Sequence, residues 1–217
     1  MAKRIFITAT NTDIGKTYTS IQLLHAFAKM GLRVGVYKPI ETGVVEIPAD
    51  GSLLFQTALH LNPSLKSLSV SDIVPLTFSL PAAPFVASGG QKIDLSLFDA
   101  PLHKIEALCD VIIIEGAGGL LVPIDAKSMM LDLPRYFKAV TLLITHCRLG
   151  CINDTLLSLR LLNDTKLPHV WGLNCKEARE DFNLTSLPYF IHHFAPLYFI
   201  DHDINAIAHA LLDTITE

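Results

Sequence analysis

Two unbroken apolar runs, Arg4-Ile5-Phe6-Ile7-Thr8 and Arg33-Val34-Gly35-Val36-Tyr37, bracket a segment in which Ile21, Leu24, Phe27 and Ala28 recur at helical spacing and Gly31 stands at the stop position. Runs this short and apolar read as strands covered on both faces, and the stretch between them as an amphipathic helix. Strand, helix and strand within about 35 residues form a βαβ unit, which obliges the two strands to run parallel. The same alternation returns later. Asp110–Ile114, Val140–Thr145 and His169–Leu173 read as strands and Ile152–Leu162 as a helix. A last helix carries Ile204, Ile207, Ala208, Leu211, Leu212 and Ile215 on one face, with Asp203 as its expected N-cap. The expected fold is therefore α/β, a mostly parallel central sheet with helices on both faces.

The stretch from 43 to 102 is broken by prolines 48, 63, 75, 81, 84 and 101. It predicts a helix near Ser52–Leu61, a short strand near Ile73–Phe78 and a helix over Leu95–Leu108. No linker-like run divides residues 1–217, so a single domain is expected. A chain of this length buries roughly 70% of its unfolded surface. With half of its residues hydrophobic, 18% charged and a mean hydropathy of +0.41, it has the material for that core. A net charge of −4 argues against a protein whose task is gripping nucleic acid. No run of about 20 apolar residues predicts a membrane span. The apolar stretch after Met1-Ala2-Lys3-Arg4 is too short for a secretory signal, since Asn11 and Asp13 follow it. Cys109, Cys147, Cys151 and Cys175 form no CxxC pair, and three of them adjoin apolar runs. They read as free thiols with no disulfide framework, in a reducing, cytoplasmic setting.

Gly15-Lys16-Thr17 lies where the first strand gives way to the first helix. A helix N-terminus offers free N–H groups and the positive end of the dipole, which suits phosphate. Gly15 permits close approach, Lys16 brings charge to the β- and γ-phosphates, and the Thr17 hydroxyl can ligate Mg²⁺. Thr10 stands where the strict phosphate-loop pattern has its first glycine. Glu115 ends an apolar β-branched run and is followed by Gly116-Ala117-Gly118-Gly119. A carboxylate at that strand end can reach a metal held by the loop, and the glycines allow backbone to approach a ligand. Asp50, in Pro48-Ala49-Asp50-Gly51, reads on its own as a turn or N-cap residue. Gly150-Cys151-Ile152-Asn153 opens a helix whose free N–H groups can hold a carboxylate.

With these residues in hand the sequence resembles the dethiobiotin synthetases. The motifs, in order, are Thr8-Ala9-Thr10-Asn11-Thr12-Asp13-Ile14-Gly15-Lys16-Thr17, Tyr37-Lys38-Pro39-Ile40-Glu41-Thr42-Gly43, Glu115-Gly116-Ala117-Gly118-Gly119 and Leu149-Gly150-Cys151-Ile152-Asn153. The resemblance implies a P-loop NTPase-like fold and a ligase. Such an enzyme joins 7,8-diaminopelargonic acid and CO₂, at the expense of ATP, through a carbamate and a carbamic-phosphoric anhydride. It implies that Asp13, Ile14, Gly15, Lys16, Thr17, Glu115, Gly118 and Asn174 bind the nucleotide, with Asn174 reading the base. Thr17, Asp50 and Glu115 would hold Mg²⁺. Lys16, Lys38, Thr12 and Thr42 would act in catalysis, and Thr12, Lys38, Thr42 and Gly150, Cys151, Ile152 and Asn153 would contact substrate. The last four would serve the neighbouring subunit's site, which implies a homodimer without nucleic-acid or membrane partners. The sequence departs from the family at Ala9, in place of glycine, and at Asn11, in place of aspartate. Ser186-Leu187-Pro188-Tyr189 only poorly matches the segment that packs on the base. An alternative reading is a partitioning or division-site ATPase switch. Those proteins usually carry an extra lysine where this chain has Asn11. Another alternative is a related amide-forming ligase with a different acid.

Overall fold

The computed structural model describes residues 2–176 and 179–216, Thr216 by its backbone alone. Strands are β1 (Lys3–Ala9), β2 (Val34–Tyr37), β3 (Ile40–Thr42), β4 (Leu76–Phe78), β5 (Val111–Gly119), β6 (Val140–His146) and β7 (His169–Asn174). Helices in the first half are α1 (Lys16–Lys29), α2 (Ala49–Leu61), and the single turns α3 (Val70–Ile73) and α4 (Pro84–Ala87). They continue with α5 (Asp99–Glu106), α6 (Asp132–Tyr136), α7 (Cys151–Asp164), α8 (Arg179–Thr185), α9 (Leu187–His193) and α10 (Ile200–Thr216).

Five strands form one parallel sheet in the order β2-β5-β1-β6-β7, while β3 and β4 pair separately. The apolar runs are buried on both faces. In β6, Leu142 and Ile144 share a core with Ile207 and Leu211 of α10, whereas Leu143, between them, meets Leu159 and Leu162 of α7. This period of two is the mark of a strand sandwiched between helical layers. The α/β architecture expected from the sequence is the one observed.

Several boundaries differ from expectation. The strand expected near Ile73–Phe78 is Leu76–Phe78, because Val70–Ile73 is a helical turn, and the helix expected near Ser52–Leu61 starts at Ala49. β5 continues through Glu115-Gly116-Ala117-Gly118-Gly119 rather than ending at Ile114, and Gly119 pairs with Ala9 after a register shift. The reason is steric: a Cβ at Gly119 would sit 3.2 Å from the Ala9 carbonyl oxygen, and one at Gly116 would sit 2.8 Å from Phe6 Cζ. Much of the glycine run thus serves the close approach of β1, besides any approach of a ligand. The segment 95–108 splits into a 3₁₀ turn at Leu95–Phe98 and α5. α10 is two helices joined at a kink at Asp203 (φ −110°, ψ 17°), so Asp203 stands where the apolar-faced helix begins, as expected, but its carboxylate accepts the Phe199 N–H at 2.8 Å rather than an N–H of the turn it precedes.

The cysteines also depart from expectation. Cys109 and Cys151 are free and buried, but Cys147 and Cys175 are joined by a disulfide. Register explains it: His146 of β6 pairs with Asn174 of β7, so the residues that follow emerge side by side, with Cα atoms 5.0 Å apart. None of the described helices is long and apolar enough to cross a membrane.

Gly35 of β2 gives a direct test of the packing. A Cβ there would lie 2.8 Å from Cys109 Sγ and 2.9 Å from Ile105 Cγ2. Gly35→Ala is expected to cost about 1–3 kcal/mol by overpacking. Urea unfolding should report a lower midpoint at unchanged slope, and the double variant Gly35→Ala/Cys109→Ala should recover part of the loss.

Candidate active site

The site is assembled where β1, β2 and β5 end. Between β1 and α1 the chain turns through two left-handed residues, Asp13 (φ 58°) and Gly15 (φ 96°). Gly15 is the N-cap of α1, and a Cβ there would collide with the Asn174 side chain. Ala9 is the last residue of β1, buried and without positive φ, so its methyl group sits in the core rather than in the loop.

Glu115 is fully buried. Its Oε1 accepts from Lys38 Nζ at 2.7 Å and from Thr17 Oγ1 at 2.9 Å, and its Oε2 accepts from Ser20 Oγ at 2.7 Å. Thr17 and Ser20 are three apart on α1 and so share a face. Burial works against the charges of both Glu115 and Lys38. The mutual attraction and the hydrogen bonds outweigh it, so the carboxyl is held below its usual range and the ammonium above its usual range. Lys16 behaves oppositely. Burial is the largest influence and lowers its pKa, Lys38 lowers it further, and Glu115 opposes both. Lys16 and Lys38 line one space, which Asp13, Glu41 and Asp50 also line, and their two charges can meet an anion there.

That space is a cavity of about 590 Å³. Lys16, Lys38, Thr12, Thr17, Thr42, Asp50 and Gly118 line it together. Asp50 lies in the first turn of α2, not at its N-cap, with its carboxylate 3.7 Å from Lys38 Nζ. The capping is done by Glu41, whose oxygens accept the N–H groups of Asp50 at 3.1 Å and Gly51 at 2.8 Å. Burial raises the Glu41 pKa against the pull of those hydrogen bonds and of Lys38. Hydroxyl and carboxylate oxygens of Thr17, Glu115 and Asp50 are the donor types a hard dication takes. The Lys38 ammonium already stands as a cation between the two carboxylates. The residues fit Mg²⁺ on that ground. No cluster of three or more His, Cys, Asp or Glu side chains suited to a metal occurs among the described residues. Phosphate oxygens and water would therefore complete the ion's shell.

A second cavity of about 240 Å³ adjoins the loop and is lined by Asp13, Ile14, Gly15 and Asn174. Asn174 Nδ2 donates to the Ile14 carbonyl at 2.8 Å, while its Oδ1 is buried without a partner among the described residues. Gly150, Cys151, Ile152 and Asn153 stay outside the larger cavity. The Cys151 side chain is in the core and its N–H donates to the Arg148 carbonyl at 3.0 Å, so it has neither group free for a substrate. Asn153 is exposed. Sequence reasoning missed Ser20, Glu41 and the Pro81–Pro84 wall. Ser20 was recoverable from its spacing to Thr17. Glu41 and the wall carry no local signal. Ser186–Tyr189 lines neither cavity.

A parallel sheet, a left-handed loop opening a helix at Lys16-Thr17, and a carboxylate at the adjoining strand end define a P-loop nucleoside-triphosphate-binding protein. Solved structures share this fold. A plasmid partition protein from Borrelia burgdorferi has a TM-score of 0.57 at 12% identity, covering 99% of this chain and 98% of its own. The MinC:MinD cell division complex of Aquifex aeolicus has a TM-score of 0.53 at 16% identity, covering 99% and 94%. At such identities the likeness is one of fold alone. A family model described as an AAA domain matches residues 3–197. Sequence relatives are more specific. The ATP-dependent dethiobiotin synthetase BioD of Sulfurovum sp. (strain NBC37-1) is 42% identical over 86% of this chain and 89% of its own. That of Wolinella succinogenes is 33% identical over 98% and 100%. The chain belongs to the dethiobiotin synthetase family.

The Lys38–Glu115 pair dictates two outcomes. Glu115→Leu alone leaves a buried ammonium with only the more distant Asp50 carboxylate, at 3.7 Å, as partner and should cost about 3–5 kcal/mol, whereas Glu115→Leu with Lys38→Met should recover part of that stability. Denaturant titrations of the three proteins measure this. The pair's contribution is present above the ordinary Glu value of 4.5 and fades as pH falls through the lower value of folded Glu115. At the other end it is intact below the ordinary Lys value of 10.5 and fades as pH rises through the higher value of folded Lys38. Stability against pH should therefore lose its acid and alkaline shoulders in the double variant.

Proposed function

We propose that this protein makes dethiobiotin from 7,8-diaminopelargonic acid, CO₂ and ATP, in biotin biosynthesis. The observation that carries the reading is the convergence of Lys16 and Lys38 on one cavity of about 590 Å³, with Thr12 and Thr42 on its walls. Carbamate and triphosphate are both anions, and their encounter requires fixed positive charge in a water-poor space.

In this reading one amine attacks CO₂ and loses a proton to solvent, giving a carbamate. A carbamate oxygen then attacks the γ-phosphorus and ADP leaves. The second amine attacks the carbonyl carbon, its surplus proton passes to solvent, phosphate leaves, and the ring closes. Lys16 binds the β- and γ-phosphates. Lys38, held in place by Glu115, neutralises the carbamate and the charge that builds on the transferring group. Thr12 and Thr42 hydrogen-bond the reacting oxygens. Glu115 also positions Lys38: its Oε1 accepts from Lys38 and Thr17, while Oε2, which accepts from Ser20 alone, keeps a lone pair for a metal. Mg²⁺, when held by Thr17, Glu115 and Asp50, supplies further neutralisation of the phosphate charge. Asn174 reads the base. With Nδ2 committed to Ile14, its free Oδ1 can only accept, which suits an exocyclic amino group.

The Gly150–Asn153 segment would serve a second copy. Its neighbours in sequence support this: Leu149 is 86% exposed and Leu157, two helical turns on, 64%, exposed apolar side chains of the kind subunits cover. The N–H groups of Ile152 and Asn153 make no hydrogen bond among the described residues and are free for a substrate carboxylate. A demand for ATP supports a cytoplasmic setting for this reaction.

Purified protein given diaminopelargonate, bicarbonate, Mg²⁺ and ATP should yield dethiobiotin by mass spectrometry, and a folded protein that yields none would overturn the assignment. Lys38→Gln keeps a donor to Glu115 but removes the charge. It should lower kcat by about 10²–10³ while nucleotide affinity changes only a few-fold. Leu157→Glu should yield a monomer in sedimentation and abolish turnover if the site is completed across subunits.

A further inference from the structure

At the opposite pole of the sheet, where β1 and β6 begin, lies a third cavity of about 570 Å³, nearly the size of the catalytic one. Its cationic lining is Lys3, Arg4, Arg135, Lys138 and Lys166, and no acidic residue among the described ones lines it. This is anomalous for a chain in which 21 acids outnumber 17 bases. Arg4 is committed to Glu106 at 2.7 Å and to the Phe137 carbonyl at 2.8 Å, and Arg135 to the Thr165 carbonyl at 3.0 Å. The ammonium groups of Lys3, Lys138 and Lys166 have no hydrogen bond or ion pair among the described residues.

The backbone adds a second, independent observation. α6 and α7 both end in Schellman turns: Ala139 N–H bonds the Pro134 carbonyl at 2.9 Å and Leu167 N–H the Leu162 carbonyl at 3.1 Å. The residue in the left-handed position of such a turn is usually glycine, because a Cβ is strained there. Here the two positions are Lys138 (φ 50°) and Lys166 (φ 55°). The other non-glycine residue of positive φ among those described is Asp13, in the phosphate loop. Both strained lysines of the first pair line this one cavity. Strain retained in this way marks a place where the side chain is needed. Pro134, Val140, Leu167 and Ile215 supply an apolar wall between the charges.

We infer that this cavity is a second ligand site, for an organic phosphate with a compact apolar body and two negative charges, separate from the nucleotide loop. Lys3, Lys138 and Lys166 would meet the phosphate oxygens and the apolar wall would meet the body.

The test uses 1-naphthyl phosphate as the probe in titration calorimetry, with the phosphate loop saturated by Mg²⁺ and a non-hydrolysable ATP analogue. Saturable one-to-one binding is expected, weakening as salt rises, with 1-naphthol and inorganic phosphate each binding at least tenfold more weakly. Lys138→Gly/Lys166→Gly should weaken the probe at least tenfold without lowering the melting temperature, since glycine suits both turns. Lys3→Gln, on a strand, should weaken it about threefold without touching either turn. Absence of probe binding, its abolition by the ATP analogue, or affinity unchanged in these variants would overturn the proposal.

Discussion

The buried contact between Lys38 and Glu115 organises the rest of the molecule. Glu115 stands on the central sheet with no exposure to water, and its two oxygens receive donors from α1 and from the segment after β2. A charge in that position is tolerable only with a partner and satisfied lone pairs. The partners therefore cannot drift. Fixing Glu115 fixes the first turns of α1, and with them Lys16 and Thr17, and fixes the chain that leads from β2 into β3. The cavity is a consequence of this three-way tie, since its two ammonium groups are held by elements that Glu115 connects.

Close backbone approach is the second constraint. β1 and β5 run together beyond the point where a strand with ordinary side chains could follow, because Gly116 and Gly119 leave room for Phe6 and for the Ala9 carbonyl. The loop after β1 then begins against β5 rather than in open solvent. Gly15 does the same for the other flank, where Asn174 of β7 rests against the helix start and reaches the Ile14 carbonyl. The phosphate loop is thus clamped by β5 on one side and β7 on the other, which is the preorganisation an anion site requires.

The two poles of the sheet carry different electrostatics. Strand carboxyl ends face helix N-termini, where free N–H groups favour anions. Strand starts face helix C-termini, where the carbonyls carry the opposite sign, and the lysines that end α6 and α7 overlay positive charge on it. A binding cavity at the first pole follows from the topology. At the second it depends on particular side chains held at a conformational cost.

Much of this was legible in the linear chain. The apolar runs of β1, β2, β5 and β6 and the periodicity of α1 and α7 declared a parallel α/β sheet, and Gly15-Lys16-Thr17 declared the helix start that lines the larger cavity. These signals act over a few residues, through side-chain period and backbone sterics, so position in the chain is enough to carry them. Pairing across the sheet decided what they could not. Cys147 meets Cys175 only because His146 registers with Asn174, and Glu41 caps α2 only because β3 passes its first turn. Among the described residues the Asn174 Oδ1 is left without a partner, because β7 lies beside the loop and turns Nδ2 to the Ile14 carbonyl. The depth of Glu115, and hence the charge state of Lys38, likewise waited on the fold, because burial and the distance between charges belong to elements far apart in sequence.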